Sequence, residues 1–231
     1  MHIKKSIKSG VVWFLILIMT FQLGGCVKNP PQQELIETKE NITEQVQYPY
    51  TFTDSRGKEL IIDEEPQRII SVGPSITEFI YALGKENRLI ARSDYCDYPQ
   101  EVARVESIGL LTEPNIERII ELNPDVVIAS AHFQDDLGKK LDDLGVKVII
   151  LYDAEDFSGV YQLIDTLGNI LNASEKATEL VGEMKAKIAE IQEKVEEEES
   201  PTIYYVVGFG QYGDYTATGD TFVGTMIDIA G

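Results

Sequence analysis

The chain is poor in the residues that build metal and redox sites. Its 231 residues include two cysteines, Cys26 and Cys96, and two histidines, His2 and His132. With Cys26 inside a leader-like stretch, Cys96 stands alone, and one thiol makes neither an intramolecular disulfide nor a zinc cluster. His132 sits in the polar loop Ala131-His132-Phe133-Gln134-Asp135, which suits solvation better than catalysis. No G-x-S-x-G or H-E-x-x-H occurs, so the sequence offers no hydrolase constellation. Positive charge is also scarce: 20 Lys and Arg stand against 39 Asp and Glu, a net of −19. A chain of that sign repels nucleic acid and anionic lipid headgroups. The apolar run Val11 to Phe21 falls short of the roughly 20 residues that span a bilayer.

What is present begins with that run. Lys4, Lys5 and Lys8 precede it and Leu23-Gly24-Gly25-Cys26 follows, the order of an export leader. The LGGC stretch resembles the lipobox of bacterial lipoproteins. The resemblance implies cleavage before Cys26 and a diacylglyceryl group on its sulfur; a plain signal peptide with an incidental cysteine is the alternative. Residues 1–25 are therefore assigned to a lipoprotein signal peptide and Cys26 to lipidation. Without the leader the chain has 17 basic and 39 acidic residues, a net of −22, so membrane attachment has to come from acyl chains. Residues 26–48 carry Pro30-Pro31 and little apolar periodicity, and they read as a disordered tether.

The most informative stretch is Val72-Gly73-Pro74-Ser75-Ile76. An apolar strand, Arg68 to Val72, runs into it, and a helix, Ser75 to Leu83, leaves it and stops at Gly84. Ser75 and Glu78 have capping-box spacing. Gly73 and Pro74 break the chain between strand and helix. A strand's carboxyl end then abuts a helix amino end, where open α/β sheets hold ligands. The same residues also describe an ordinary strand-to-helix turn, so the neighbours decide.

Those neighbours alternate. Tyr50–Thr53 and Lys58–Ile62 flank a turn and read as a hairpin. Strands are expected at Arg88–Ala91, Asp125–Ala129 and Lys147–Leu151. Helices are expected at Asn115–Leu122, with Asn115 as N-cap, at Gln134–Leu144 and at Phe157–Leu171. Short apolar strands between helices predict a parallel sheet covered on both faces. Its expected core includes Ile70, Val72, Phe79, Ile90, Val127, Ile128, Ile149 and Leu151. A long helix should run from Ser174 to about Glu199, with Ala177, Val181, Met184, Ile188, Ile191 and Val195 on its apolar face. Pro201 breaks it, and a strand at Ile203–Val207 and a helix at Phe222–Ala230 follow.

The segments "RIISVGPSITEFIYALG", "SDYCDYP", "NIERIIELNPDVVIAS", "LDDLGVKVIIL" and "YTATGDTFVGTMIDIAG", in this order, resemble the solute-binding proteins that deliver cobalamin, ferric siderophores or haem to ABC importers. The resemblance runs from Tyr50 to Gly231. It implies an α/β fold: a Rossmann-like parallel-sheet lobe at 49–172, a rigid interlobe helix at 173–200 and an incomplete second α/β lobe at 201–231. It implies no enzymatic activity and no resident cofactor; a metal complex would be cargo. The implied ligand contacts are Gly73, Pro74 and Ser75 at the strand-to-helix turn, Tyr95 as an aromatic surface, and Tyr212, Tyr215 and Thr216 from the second lobe. Glu117 matches the glutamate that meets the permease, so the implied partners are a permease and its ATPase, a small metal complex, and the membrane through the lipid anchor on the extracytoplasmic side. In such proteins a complete second lobe follows the long helix. One strand and one helix follow it here, which leads to the expectation of a chain cut short within that lobe, or of a lobe completed by another chain.

Two other classes compete. Gly208-Phe209-Gly210-Gln211-Tyr212-Gly213 spells G-x-G-x-x-G, but no helix opens within it and no second strand follows, which disfavours a dinucleotide-dependent enzyme. A lipid-tethered interaction module without a small ligand is the stronger alternative.

Overall fold

The computed structural model describes residues 46–152, 156–211 and 213–231. The leader, Cys26, the tether as far as residue 45 and Tyr212 lie outside the described residues.

Tyr50–Thr53 (β1) and Glu59–Ile62 (β2) pair antiparallel, with Tyr50 opposite Ile62 and Thr53 opposite Glu59. Asp54 closes the turn between them. Its side chain is fully buried and accepts from Arg56 Nε and Nη2 at 2.8 and 2.7 Å, from the amides of Arg56 and Lys58 at 3.0 and 3.2 Å, and from the Ile150 amide at 3.3 Å. Arg56 Nη2 also donates to the Val148 carbonyl at 2.9 Å. The hairpin is thereby fastened to the edge of the main sheet.

That sheet holds Ile69–Val72 (β3), Leu89–Arg92 (β4), Glu106–Ser107 (β5), Val126–Ala129 (β6) and Val148–Ile150 (β7). The spatial order is β5-β4-β3-β6-β7, every pair parallel, with Ile70 opposite Val127 and Ile128 opposite Ile149. Pro74–Ala82 (α1), Ile116–Glu121 (α2), Asp135–Asp143 (α3) and Phe157–Ile170 (α4) make the returns. Successive strand residues face opposite ways. Ile69, Ile128, Ile149 and Leu151 share one layer with Ile76 and Ile80 of α1 and Ile164, Leu167 and Ile170 of α4. Ile70, Val72, Val127, Ala129, Val148 and Ile150 share the other with Ile119 of α2 and Leu141 of α3. Two covered faces are why these strands read as unbroken apolar runs. Of the expected core, Ile70, Val72, Val127, Ile128, Ile149 and Leu151 are buried, and Phe79 and Ile90 are half-buried.

The sequence reading missed β5 and the short 3-10 turns at Glu86–Arg88 and Gln100–Arg104. Two exposed polar residues at a sheet edge carry no periodicity to read.

Ser174–Val195 (α5) follows α4 directly. Its 22 residues make a rod of about 33 Å. It stops short of the expected Glu199, and Glu196 to Glu199 are acids that would oppose the macrodipole. Ala177 and Val181 are buried, whereas Met184, Ile188, Ile191 and Val195 are only half-buried. α4 and α5 cross almost backbone to backbone: a Cβ added to Gly168 would lie 2.5 Å from that of Ala177.

Val206–Gly208 (β8) and Tyr215–Thr216 (β9) then form a separate antiparallel pair, followed by Phe222–Ile229 (α6). The strand expected at Ile203–Val207 is displaced: Ile203, Tyr204 and Tyr205 precede it, and all five are exposed. No described residue from 201 onward is buried, because this pair has no second sheet or helix layer over it. The Phe222 ring lies 5.1 Å from that of Phe157 and ties α6 to the start of α4.

Candidate functional site

Strand order reverses between β3 and β6: the chain builds outward through β4 and β5, then returns to the centre and builds the other way through β7. In open parallel sheets the crevice beyond the carboxyl ends at such a reversal is where ligands bind. Gly73 follows β3 there and Ser130 follows β6. Gly73 adopts φ 155°, and a Cβ on it would meet Ser130 Oγ at 2.4 Å and Ser130 Cβ at 2.8 Å. The Ser130 amide donates to the Val72 carbonyl at 3.1 Å, which holds the two strand ends in register. Ser130 was not singled out by sequence reasoning; a small polar residue closing the apolar strand DVVIA was its one signal.

The capping box does not form. α1 begins at Pro74, its N-cap is Gly73, and no side chain caps it. Ser75 is therefore already inside the helix, exposed, as is Glu78. The local polar network is instead buried beneath the turn: Thr77 Oγ1 donates to Ser71 Oγ at 2.8 Å and lies 3.2 Å from the Gly73 carbonyl. Proline at the first helical position suits the orphaned amides of a helix start and leaves the first-turn amides after it without a side-chain acceptor.

Tyr95 lies beyond the carboxyl end of β4. Its loop is held from within by the Ser93 amide on the Ser71 carbonyl at 3.0 Å and the Asp94 amide on the Gly109 carbonyl at 2.8 Å. Ser93 and Cys96 are buried, with Oγ and Sγ 3.2 Å apart. Cys96 thus acts as an internal plug. Between these anchors Tyr95 is 59% exposed, and Tyr98, three residues on, is also exposed. Tyr152, which the sequence reading did not single out, stands after β7 and is pinned by Ser55, whose Oγ donates to its carbonyl at 2.7 Å and accepts from its amide at 2.9 Å.

Glu117 occupies the first turn of α2, at the same edge, since α2 descends from that edge to feed β6. Asn115 caps the helix as expected, accepting from the Arg118 amide at 3.0 Å. Arg118 is saturated by Glu106 at 2.5 and 2.9 Å and by Glu121 at 2.9 Å. Its hydrogen bond holds the Glu106 carboxyl below its usual pKa. Glu117 is exposed and makes no ion pair among the described residues, so its charge is free for an outside partner.

Gly73, Pro74, Ser75, Tyr95 and Glu117 thus share one edge of the sheet. Tyr215 and Thr216 lie on the β8–β9 ribbon beyond α5, and both are exposed. His132 is exposed in its loop, and no group of His, Cys, Asp and Glu suited to a metal ion occurs among the described residues.

The opposite edge is built differently. Glu65 accepts from Lys85 Nζ at 3.2 Å, from Arg88 Nη1 and from Asn172 Nδ2 at 3.1 Å. Burial pushes its pKa up, but the bonds from Arg88, Asn172 and Lys85 outweigh that and leave it below the usual value. Tyr48 donates its hydroxyl to the Ile170 carbonyl at 3.0 Å, and the Val46 amide donates to Asn172 Oδ1 at 3.1 Å. Burial, with the Glu65 charge adding, pushes the Tyr48 hydroxyl up to about 12. A cavity of about 570 Å³ opens at this edge between Tyr81–Lys85 and Asn172–Lys176. It lies away from the strand reversal, and along the carboxyl rim a smaller cavity of about 220 Å³ opens at the end of β7, lined by Ser55, Leu151 and Tyr152 among others.

Comparison with known proteins bears on this rim. The sequence profile of the periplasmic binding protein family matches residues 69–231. The ABC transporter substrate-binding lipoprotein YvrC of Bacillus subtilis is 34% identical over 228 residues, covering 96% of this chain and 71% of that protein. A cobalamin-binding protein of Halobacterium salinarum is 27% identical over 225 residues, covering 96% of this chain and 58% of that protein. Among solved structures, one from Staphylococcus epidermidis, described as a possible iron-binding (periplasmic solute-binding) protein, superimposes with a TM-score of 0.66 at 29% identity, over 72% of this chain and 66% of that one. The chain therefore spans 58 to 71% of the length of these relatives.

Proposed function

The chain belongs to the periplasmic binding protein family, and on that footing we propose that it is the substrate-binding lipoprotein of an ABC importer for a corrinoid or a ferric siderophore-type complex. The observation that carries this reading is Tyr95: an exposed ring on a loop fixed from within, beside a strand reversal that holds an uncapped helix start. Such a rim offers a flat apolar face for stacking and backbone donors for polar groups. On the first lobe, residues 49–172, the contacts are Gly73, Pro74, Ser75 and Tyr95. From the segment 201–231, beyond α5, the further contacts we propose are Tyr212, Tyr215 and Thr216. Glu117 meets the permease, its charge left free by the pairing of Arg118. Cys26 carries the lipid that holds the chain on the extracytoplasmic face of the membrane, and the permease works with its ATPase. The likeness to a lipoprotein and to a cobalamin-binding protein supports this reading.

Titration of the soluble chain from Val27 with cyanocobalamin, hemin and a panel of ferric siderophores tests it. Binding of one of these that weakens about tenfold in Tyr95→Ala, roughly 1.4 kcal/mol, is the expected result. Binding that ignores Tyr95→Ala would move the ligand away from this rim. No binding to any of them would favour a lipid-tethered interaction module, a reading that draws on the exposed apolar residues Ile203, Tyr204, Tyr205, Val207 and Phe209.

A further inference from the structure

We propose that the rim sorts its ligands by charge, admitting neutral and cationic complexes and turning away anionic ones. This names the charge class of the ligand already proposed and rests on the reading of the rim as its site.

An anionic ligand needs a free cation, and among the described residues the loops that follow the strands hold no free Lys or Arg. Arg92 ends β4 at that edge, but its Nη1 donates to the carbonyls of Ser93 and Asp94 at 3.1 and 3.4 Å, and its Nε to that of Val102 at 3.3 Å. Arg118 is held by Glu106 and Glu121, and Arg56 by Asp54 and the Val148 carbonyl. Lys139 and Lys140 lie past the first turn of α3, behind Asp135 and Asp136. Arg68, Lys85, Arg88, Arg104 and Lys147 each precede a strand of the parallel sheet, so they belong to the opposite edge.

The free charge at the rim has the other sign. Asp97, Glu113, Glu117, Asp135 and Asp136 sit in the loops and first helical turns that follow β4, β5 and β6. All are exposed, and none joins an ion pair among the described residues. Helix starts gather at the same edge, and their positive ends favour anions. Three of the four are already answered. Glu117 stands in the first turn of α2, Asp135 and Asp136 in that of α3, and Asp156 Oδ1 accepts from the Gly159 amide at 2.9 Å at the start of α4. The start of α1 carries no acid and no side-chain cap. Its amides suit a neutral oxygen, such as an amide or hydroxamate carbonyl, and the face of Tyr95 attracts a cation. Asp97 and Glu113 stand in no helix, and their side chains make no hydrogen bond or ion pair among the described residues, so helix capping does not account for them. Unanswered like charge of this kind is how a site rejects a wrong partner. Hemin, through its propionates, falls in the rejected class.

The test compares ligands that differ in charge alone. Cyanocobalamin is neutral. Hydrolysis of a side-chain amide makes it anionic, and coupling that carboxylate to ethylenediamine makes it cationic, with cyanide still blocking the cobalt from His132. Ferrioxamine B, its N-acetyl form and its N-succinyl form give the cation, the neutral form and the anion of a single ferric chelate. Both sets are titrated into the full chain in a non-ionic detergent at low salt. In the set that binds, affinity should fall from cation to neutral to anion, by about tenfold across it. The spread should collapse near 1 M salt, where the Debye length is about 3 Å. Asp97→Lys with Glu113→Lys should raise the anion at least to the level of the cation. Glu86→Gln with Glu101→Gln, exposed acids away from the rim, should leave the order unchanged. An anion that binds the parent as well as the cation does would overturn charge selection and leave the ligand reading standing. Equal loss of selectivity in both double variants would assign it to net charge and overturn the role of the rim. No binding in either set would remove the ligand reading and this proposal with it.

Discussion

A single carbon added at residue 73 should be among the costliest changes in this chain. Gly73→Ala asks an L-residue to hold φ 155° and ψ 134°, a sparsely populated region that costs about 1–3 kcal/mol. It also places Cβ 2.4 Å from Ser130 Oγ and 2.8 Å from Ser130 Cβ, an overpacking that typically costs about 1–3 kcal/mol. The expected loss is the sum, about 2–6 kcal/mol, and with a urea slope near 2 kcal/mol/M it lowers the unfolding midpoint by roughly 1–3 M. The two parts separate in a double-mutant cycle. Ser130→Gly removes both clashing atoms and sacrifices only a weak Oγ contact to the Val72 carbonyl at 3.5 Å. Its own cost should be near 0.5–1 kcal/mol, roughly the usual glycine penalty. Gly73→Ala with Ser130→Gly should then recover about 1–3 kcal/mol of coupling and retain the backbone part. Urea unfolding of the four proteins, followed by far-ultraviolet circular dichroism, reads all of this. If Gly73→Ala alone shifts stability by less than about 0.5 kcal/mol, or if the double variant is no better than the sum of its singles, the crevice is not closed as described.

Other expectations are equally direct. Asp54→Ala leaves the largely buried Arg56 without its main partner and should cost about 3–5 kcal/mol by urea unfolding; a loss under 1 would mean the hairpin is not held by this carboxylate. Glu65 has a folded pKa below its unfolded value of 4.5, so its stabilising effect is complete above that value and disappears as pH falls through the lower folded one. Glu65→Gln should therefore be less stable than the parent at pH 7 and converge with it in acid, and parallel stability profiles across that range would refute the assignment. Amide exchange should be slow in Ile69–Val72 and fast in Val206–Gly208, where no residue is buried under a second layer; equal protection would show that other contacts cover β8 and β9.

The sheet was legible because its strands are short, apolar and separated by helices with amphipathic spacing. Ile70, Val127 and Ile149 could be placed in the core without knowing which strand lay beside which. Helix α1 was legible in its extent but not in its start. Ser75 and Glu78 matched a capping pattern, yet Pro74 can begin a helix itself, and Gly73 supplies the turn without any side chain. The closure between Gly73 and Ser130 was not legible, since it joins residues far apart in sequence and depends on β3 and β6 being neighbours. Tyr95 was marked by resemblance alone. Its loop is held by the Ser93 and Asp94 amides and by buried Cys96, which in the sequence looked merely like a spare thiol. Beyond Pro201 the run IYYVV has strand composition throughout, but pairing with Tyr215–Thr216 selects only its end and the glycine after it.

The near-contact of Gly168 with Ala177 gives α5 the character of a lever with its fulcrum at one end. Only its first two turns bury residues in the lobe, and beyond them Met184, Ile188, Ile191 and Val195 are half-buried. A tilt of about 5° at the crossing carries the far end of a ~33 Å helix through roughly 3 Å. The hydrogen atom that replaces a side chain at residue 168 therefore helps to set where α5 points. A methyl group there would act at a distance, pressing on β8, β9 and α6 through the tilt of α5 and against the Phe157–Phe222 contact that ties α6 back to α4.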